Sequence, residues 1–234
     1  MSSLPAPSDL EIYERIVSAI LDHRLAPGTK LVEDRLAAAF GVSRTRIRPV
    51  LVRLANEQIV TLTPNRGAAV TQPSETQARE VFETRRLIEP RLVELFVERA
   101  SSAHVNTLRD CIAAEEGARA AGQAQRAIRL SGEFHLAIAE HAGHETLGRI
   151  LRELVSRTSL VLMCYSDPPH PQGDHASACG CDEHRGLLDA IRLRDAAESA
   201  RRMRQHLTQL EQQLRFTSAP QATTDFAALF GIAA

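Results

Sequence analysis

Four arginines, Arg44, Arg46, Arg48 and Arg53, fall between Ser43 and Asn56 with no acidic residue among them. A guanidinium pairs bidentately with a guanine edge and also with phosphate, so such a cluster on one element suits duplex DNA. The commoner fate of a charge run is a solvated helix face. A second group of reactive residue types is Cys179-Gly180-Cys181-Asp182-Glu183-His184. Thiolate and imidazole suit zinc, so Cys179, Cys181 and His184 form one candidate ligand set, although Cys-x-Cys is tighter than the common structural spacings. A redox pair is a second reading, against which the one-residue gap would strain a disulfide. A place flanking the mouth of a cavity is a third, and is preferred here.

The elements that must position these groups are read from periodicity. Tyr13, Ile16, Val17, Ile20 and Leu21 fall at helical spacing and predict an amphipathic helix from about Ser8 to His23. Ala26-Pro27-Gly28-Thr29 breaks it. A short helix over Glu33–Phe40 buries Leu36 and Phe40 and is capped by Gly41, and Ser43 is the expected N-cap of a third helix. Two helices joined by so short a turn form a helix-turn-helix. In the third helix Ile47, Val50, Leu51 and Leu54 make an inward stripe, while Arg44, Thr45, Arg46 and Arg48 gather at the outward N-terminal side. Recognition helices present that end to the major groove. Ile59–Leu62 and Ala68–Thr71 read as short strands joined by Thr63-Pro64-Asn65-Arg66-Gly67, a hairpin wing with Arg66 at its tip. Motif, polarity and wing agree, which selects DNA over a solvated face. Pro49 removes a backbone donor inside the third helix, so either the helix bends there or its first turn is irregular.

Gln72-Pro73-Ser74 reads as a linker with Ser74 as an N-cap, and the chain beyond is helical almost without pause. Val81, Ile88, Leu92, Leu95 and Phe96 mark one helix, and Val105, Leu108 and Ile112 another. A break is expected over Gly117–Gly122, followed by helices at Ile128–His141 and Leu147–Met163. Ser166–Gly180, rich in Pro, Gly, His and Asp, is an expected loop, and two further helices run from about Asp182 to Leu193 and from Asp195 to Phe216. The tail, 217–234, carries Phe226, Leu229 and Phe230, an apolar cluster that either docks or stays disordered. The fold class is therefore mainly α: a winged helix-turn-helix over 1–72 and an all-helical bundle over 73–216.

Composition agrees. The 234 residues are 44% hydrophobic and 24% charged, enough for a sizeable core, and only 4% aromatic, which suits helices better than sheets. The net charge of −1 conceals an asymmetry: residues 1–72 hold 9 Lys and Arg against 7 Asp and Glu, and the remainder 19 against 22. A basic element on an acidic body can bind DNA locally. No apolar run approaches a membrane span and the N-terminus lacks a signal-peptide pattern, so no membrane partner is expected and the chain is expected to be cytoplasmic. Cys111, Cys164, Cys179 and Cys181 are then expected to be reduced.

The stretch Leu36-Ala37-Ala38-Ala39-Phe40-Gly41-Val42-Ser43-Arg44-Thr45 resembles the turn into the recognition helix of the GntR family of bacterial regulators. Arg48, the Leu51/Leu54 pair and Pro64-Asn65-Arg66-Gly67 continue the match in register. Arg46 stands where a proline is common, and Pro49-Val50 where an acid and alanine are usual; these departures bear on base contacts, not on domain type. Phe82-Glu83-Thr84-Arg85 with Glu89, then Phe134-His135, Ala142-Gly143, His184 and His206, resemble the FadR-type subgroup and its all-helical ligand-binding domain, called FCD.

The resemblance implies DNA contacts from Ser43, Arg44, Thr45, Arg46, Arg48, Arg66 and Gly67. It also implies a divalent metal, zinc foremost, on His135, His184 and His206, able to capture a carboxylate effector through its open positions. Taken alone, a helical His is more often a hydrogen-bonded structural residue than a ligand. Arg85 and Ser131 are the implied effector contacts, and the rival reading of Arg85 is a salt bridge with Glu89, four residues on. Ser131 stands where the family has a ligating Asp one turn before the first His, and a hydroxyl is a poor replacement for a carboxylate on zinc. That leaves a weaker three-histidine site, a site completed by another ligand, or a lost metal.

The expected protein is a homodimer that binds a palindromic operator, since two-fold symmetry in the protein imposes it on the site. A small organic acid in the helical domain would alter the placement of the two readers and so the affinity. Repression is the common behaviour of the family. Two other classes compete: a metal-dependent hydrolase-like enzyme, for which no convincing general base accompanies the histidines, and a structural DNA-binding protein indifferent to ligands. The chain is expected not to be an enzyme.

Overall fold

The computed structural model describes residues 6–22, 24–166 and 176–216, with backbone alone over 176–179. The tail 217–234 and the side chain of Cys179 lie outside the described residues. The chain divides into two compact units, one reaching to Gln72 and one beginning at Pro73.

The first unit runs α1 (Asp9–Leu21), β1 (Lys30–Leu31), α2 (Glu33–Phe40), α3 (Arg44–Asn56), β2 (Val60–Thr63) and β3 (Gly67–Val70). Helix α1 opens on a capping box in which Ser8 Oγ accepts from the Glu11 amide and the Glu11 carboxylate accepts from the Ser8 amide. Its Ile12, Ile16 and Ile20 recur every four residues and are fully buried, as are Leu36 of α2 and Ile47, Leu51 and Leu54 of α3. Each such side chain contributes about 1.5–3 kcal/mol on leaving water. Gly41, at φ +63°, ends α2 in a left-handed cap and turns the chain into α3.

Strands β2 and β3 pair antiparallel from Val60↔Val70 to Thr63↔Gly67, each strand one residue away from its expected position. Pro64 and Asn65, the latter at φ +60°, form the turn, closed by the Arg66 amide donating to Thr63 O at 3.0 Å. Proline followed by a left-handed asparagine is the type II pattern. A third strand, β1, was not expected: two residues are too short to show a period, yet Lys30 and Leu31 pair with Ala69 and Ala68.

Pro49 leaves α3 unbroken, and the irregularity lies in the first turn. There the Arg46 amide donates to Ser43 O, three residues back, whereas α1 and α2 open on four-residue bonds. Ser43 occupies the N-cap position as expected, but its hydroxyl accepts no backbone bond.

The second unit holds α4 (Glu75–Arg99), α5 (Ser102–Ala120), α6 (Ala124–His141), α7 (Glu145–Tyr165), α8 (Ala176–Arg192) and α9 (Ala196–Gln212). Ser74 and Ser101 start α4 and α5 with capping boxes, and Asp195 caps α9 through the Glu198 amide at 2.9 Å. Helix α4 packs on α9, α7 and α6, while α5 packs on α6 and α8. One apolar core joins Leu92 and Phe96 of α4, Ile112 of α5, Phe134 and Ile138 of α6, Leu151 of α7, Ile191 of α8 and Leu207 of α9. No helix among the described residues is long and apolar enough to cross a membrane.

Several boundaries differ from expectation, among them the start of α6, at Ala124 and not at Ile128. Helix α5 persists through Gly117 to Ala120, because its buried Ala118 still faces the core, and the break comes at Gly122 with φ +68°. Helix α8 begins at Ala176, so the last five residues of the expected loop over Ser166–Gly180 are helical. Helix α9 ends at Gln212; Leu214 and Phe216 leave it to pack against Phe82, Val161 and Tyr165, and the Arg215 amide donates to Tyr165 O at 2.7 Å.

Pro49→Ala restores a main-chain donor at an exposed position of α3 and should stabilise the first unit by about 1–2 kcal/mol, part of the gain being offset by a freer unfolded chain. Urea unfolding checks this, and an unchanged or lower midpoint would contradict the account of α3.

Candidate functional site

His135 of α6, His184 of α8 and His206 of α9 are 2%, 0% and 2% exposed. One ring nitrogen of each lies within 4.8 Å of those of the other two. The ring centres are 5.3 Å apart for His135 and His184, 5.2 Å for His135 and His206, and 4.6 Å for His184 and His206. Phe134 stacks on His184 at 4.3 Å and closes one side.

Each ring is held through Nδ1 by a carboxylate: His135 by Glu89 of α4 at 2.6 Å, His184 by Glu115 of α5 at 2.9 Å, and His206 by Glu183 of α8 at 2.6 Å. An ionised carboxylate only accepts, so Nδ1 carries the proton and a neutral ring keeps its lone pair on Nε2. Burial is the main cause of neutrality at His135, pushing its pKa down to about 3 with help from the charge of Arg85, against the pull of Glu89. Burial also lowers His184. Glu89 and Glu115 stay ionised despite burial: Arg85, then His135, hold Glu89 at about 2, and His184 and Arg119 hold Glu115 at about 2.

The arginines anchor this shell. Arg119 Nη2 donates to Glu115 at 2.7 Å. Arg85, 2% exposed, donates from Nε to Glu89 and from Nη1 to Thr158 Oγ1 of α7 at 3.2 Å. The salt bridge with Glu89 is therefore made, and Nη2 of Arg85 is left buried without a partner. Ser131 is half-buried on α6, one turn before His135 and on the same face.

Nε2 of His184 and of His206 are buried and have no hydrogen-bond partner among the described residues. Leaving such acceptors empty costs about 1–3 kcal/mol each. Three convergent imidazoles, oriented from behind by carboxylates, are a donor set that fits a divalent transition metal. Of the alternative set of Cys179, Cys181 and His184, the side chain of Cys179 lies outside the described residues, and Cys181 does not join the cluster. Cys181 lies beside Glu115 and Arg119, and burial, reinforced by Glu115, pushes its thiol up to about 11.

Glu89, Glu115 and Glu183 were not recognised from sequence as the groups that orient the rings. A signal existed for two of them. Glu115 continues the stripe Leu108, Ile112, and Glu89 lies between Phe82 and Phe96 on the buried face of α4, so both are charges at apolar-stripe positions.

In the first unit Ser43, Arg44, Thr45, Arg48, Arg66 and Gly67 are exposed, and Arg46 is partly buried. The acids absent from α3 come from elsewhere in the fold. Arg44 pairs with Asp34 at 3.0 Å and Arg48 with Glu33 at 3.1 Å, both from α2. Arg46 binds Asp9 and the Pro7 carbonyl, each at 2.7 Å, and so ties α3 to the start of α1. Arg53 lies 3.8 Å over the Tyr13 ring and bonds Glu57 at 3.3 Å, a contact internal to the unit. Exposed pairs of this kind are worth about 0–1 kcal/mol.

A winged helix-turn-helix joined to a helical domain with a polar centre is the plan of a DNA-binding regulator that responds to a ligand. Residues 9–70 match the family of bacterial regulatory proteins called gntR, residues 80–209 match the FCD domain, and the chain belongs to the GntR family of transcriptional regulators with an FCD domain. It is 24% identical over 192 residues to the uncharacterized HTH-type transcriptional regulator YdhC of Bacillus subtilis, spanning 82% of this chain and 84% of that protein. It is 23% identical over 212 residues to the HTH-type transcriptional repressor RspR of Escherichia coli, spanning 89% and 90%. The solved structure of Escherichia coli McbR/YncC shares the fold, with a TM-score of 0.75 at 22% identity over 91% of this chain and 99% of that one. The mainly α architecture and the family resemblance agree with these findings, and relatives named as regulators separate the chain from enzymes.

Glu89→Ala should leave the Arg85 guanidinium buried and unpaired and cost the second unit about 3–5 kcal/mol. Denaturant unfolding measures it, and a loss below about 1 kcal/mol would contradict the anchoring role of this pair.

Proposed function

We propose that this regulator is a repressor that binds a palindromic operator as a homodimer and is released or retained by a small carboxylate held at a metal in its helical domain. The observation that carries the reading is the set of three buried imidazoles converging within 4.8 Å, two of them with Nε2 unpartnered. His135, His184 and His206 would hold a divalent ion, zinc foremost, by the nitrogens turned away from Glu89, Glu115 and Glu183. Bound there, the ion supplies open coordination positions for an anionic oxygen. Arg85, through its unpartnered Nη2, and Ser131, one turn before His135, would receive the rest of the effector.

On the DNA side, Ser43 and the first turn of α3 offer a hydroxyl and free amides to a phosphate. Arg44, Thr45 and Arg48 face the major groove in this reading, with Arg66 and Gly67 of the wing on the neighbouring backbone. Their carboxylate partners hold the guanidinium groups in ordered positions, and phosphates displace those weak pairs at small cost. Arg46 would exchange Asp9 for a phosphate in the same way. Repression draws support from the relative RspR, which is named a repressor. A two-fold dimer makes the operator palindromic.

Selection of binding sites from a random duplex pool with the purified full chain should return a sequence with two inverted half-sites, and a panel of small carboxylic acids should contain one that shifts the affinity. Recovery of no consensus, or affinity indifferent to every acid in the panel, would overturn the reading. Elemental analysis should find about one zinc or similar ion per chain, absent from His135→Ala. Metal-free parent protein that cannot be loaded would remove the centre from the mechanism.

A further inference from the structure

The charges around the three histidines leave an imbalance. The ligands themselves are neutral imidazoles, and no carboxylate or thiolate among the described residues joins the cluster. Of the three carboxylates behind the rings, Glu89 is paired with Arg85 and Glu115 with Arg119. Both guanidinium groups sit within the helical unit, Arg85 fully buried and Arg119 largely so. The third carboxylate, Glu183, brings at most one negative charge to the shell. A divalent ion bound here would therefore leave at least one positive charge uncompensated, among groups 0–2% exposed. An unbalanced buried charge is costly, and the cost falls when an opposite charge enters with it. Ser131, on the face of α6 that carries His135, has no charge to offer. A second observation points the same way: Nη2 of Arg85 is a buried cationic donor with no partner, next to the carboxylate that holds His135.

We propose that in this chain an anion from solution is a required partner of the metal: ion and anion enter the helical domain together and each tightens the other, because the protein supplies three neutral ligands and no negative one. This rests on the three-histidine reading above and adds the regulation of that site. By linkage the coupling is reciprocal, so the anion binds weakly to the metal-free domain and the metal weakly to the anion-free domain. The regulator would then register the product of two concentrations, metal and acid, and not the acid alone. Its Arg85–Glu89 pair is the part that positions the anion's second oxygen, since the spare donor lies on the same guanidinium that fixes Glu89.

The test uses the full chain stripped of metal and titrated with cobalt(II), followed by calorimetry and by the visible absorption of the bound ion. Titrations in sodium perchlorate, a weakly coordinating salt, and in sodium acetate at equal ionic strength are compared. Cobalt affinity should be about tenfold or more higher in acetate, with a change in the visible spectrum. Ser131→Asp should bind cobalt in perchlorate about as tightly as the parent does in acetate and lose most of the acetate effect. Equal affinity of the parent in both salts overturns the proposal while leaving a three-histidine site standing. Absence of cobalt uptake in either salt, matching His135→Ala, overturns the site itself. Circular dichroism checks that Ser131→Asp folds, and if it does not, the two-salt comparison on the parent decides the matter.

Discussion

The helical unit is organised around the need to keep three imidazoles and three carboxylates inside an apolar bundle. Every described helix of that unit is drawn into the arrangement. Helix α4 supplies Glu89 and Arg85, α5 supplies Glu115 and Arg119, α6 supplies His135, α7 supplies Thr158, α8 supplies His184 and Glu183, and α9 supplies His206. A buried carboxylate is tolerated only when paired, and a buried imidazole only when neutral or compensated. Each contact in the chain from arginine to carboxylate to ring satisfies one group and orients the next. What remains at the end is a set of nitrogens with lone pairs and no partner, and that residue of unmet demand is the functional signal.

The two units handle charge in opposite ways. In the helical unit the arginines are buried and fixed by short bonds to carboxylates that themselves have a second task. In the winged unit Arg44 and Arg48 are more than half exposed and are held by Glu33 and Asp34 in pairs of small worth. Buried pairs of the first kind define a geometry, and exposed pairs of the second kind can be exchanged for phosphate. A sensor needs the former and a reader of nucleic acid the latter, so under the proposed function the same residue type would serve both through burial alone. Arg46 lies between these extremes, joining α3 to Pro7 and Asp9, while Arg53, more than half exposed, lies over Tyr13.

Much of this was legible in the residues. The stripes Tyr13–Ile16–Val17–Ile20–Leu21 and Ile47–Val50–Leu51–Leu54 and the cap Gly41 placed the helix-turn-helix within a residue or two, because burial and chain reversal impose their own spacing, although the fully buried Ile12 was not read as part of the first stripe. Strand β1 was not legible, since two residues carry no period and pair only once β3 is there to receive them. The start of α8 at Ala176 was hidden by Cys179, Gly180 and Cys181, poor helix formers by propensity. The resemblance indicated the histidines, but spacing could not bring positions 135, 184 and 206 together, which only the crossing of α6, α8 and α9 accomplishes. The orienting carboxylates were the largest omission, for a glutamate in a helix reads as solvent-facing unless its position in the apolar stripe is weighed.

The central claim is that the buried cluster is a metal site built from nitrogen alone. X-ray absorption at the zinc edge of the purified, zinc-loaded full chain tests it directly. The account predicts three imidazole nitrogens at about 2.0–2.1 Å, completed by oxygen, with no sulfur in the shell. Sulfur scattering at about 2.3 Å, or zinc with no ordered imidazole shell, would contradict it and return Cys179 and Cys181 to consideration.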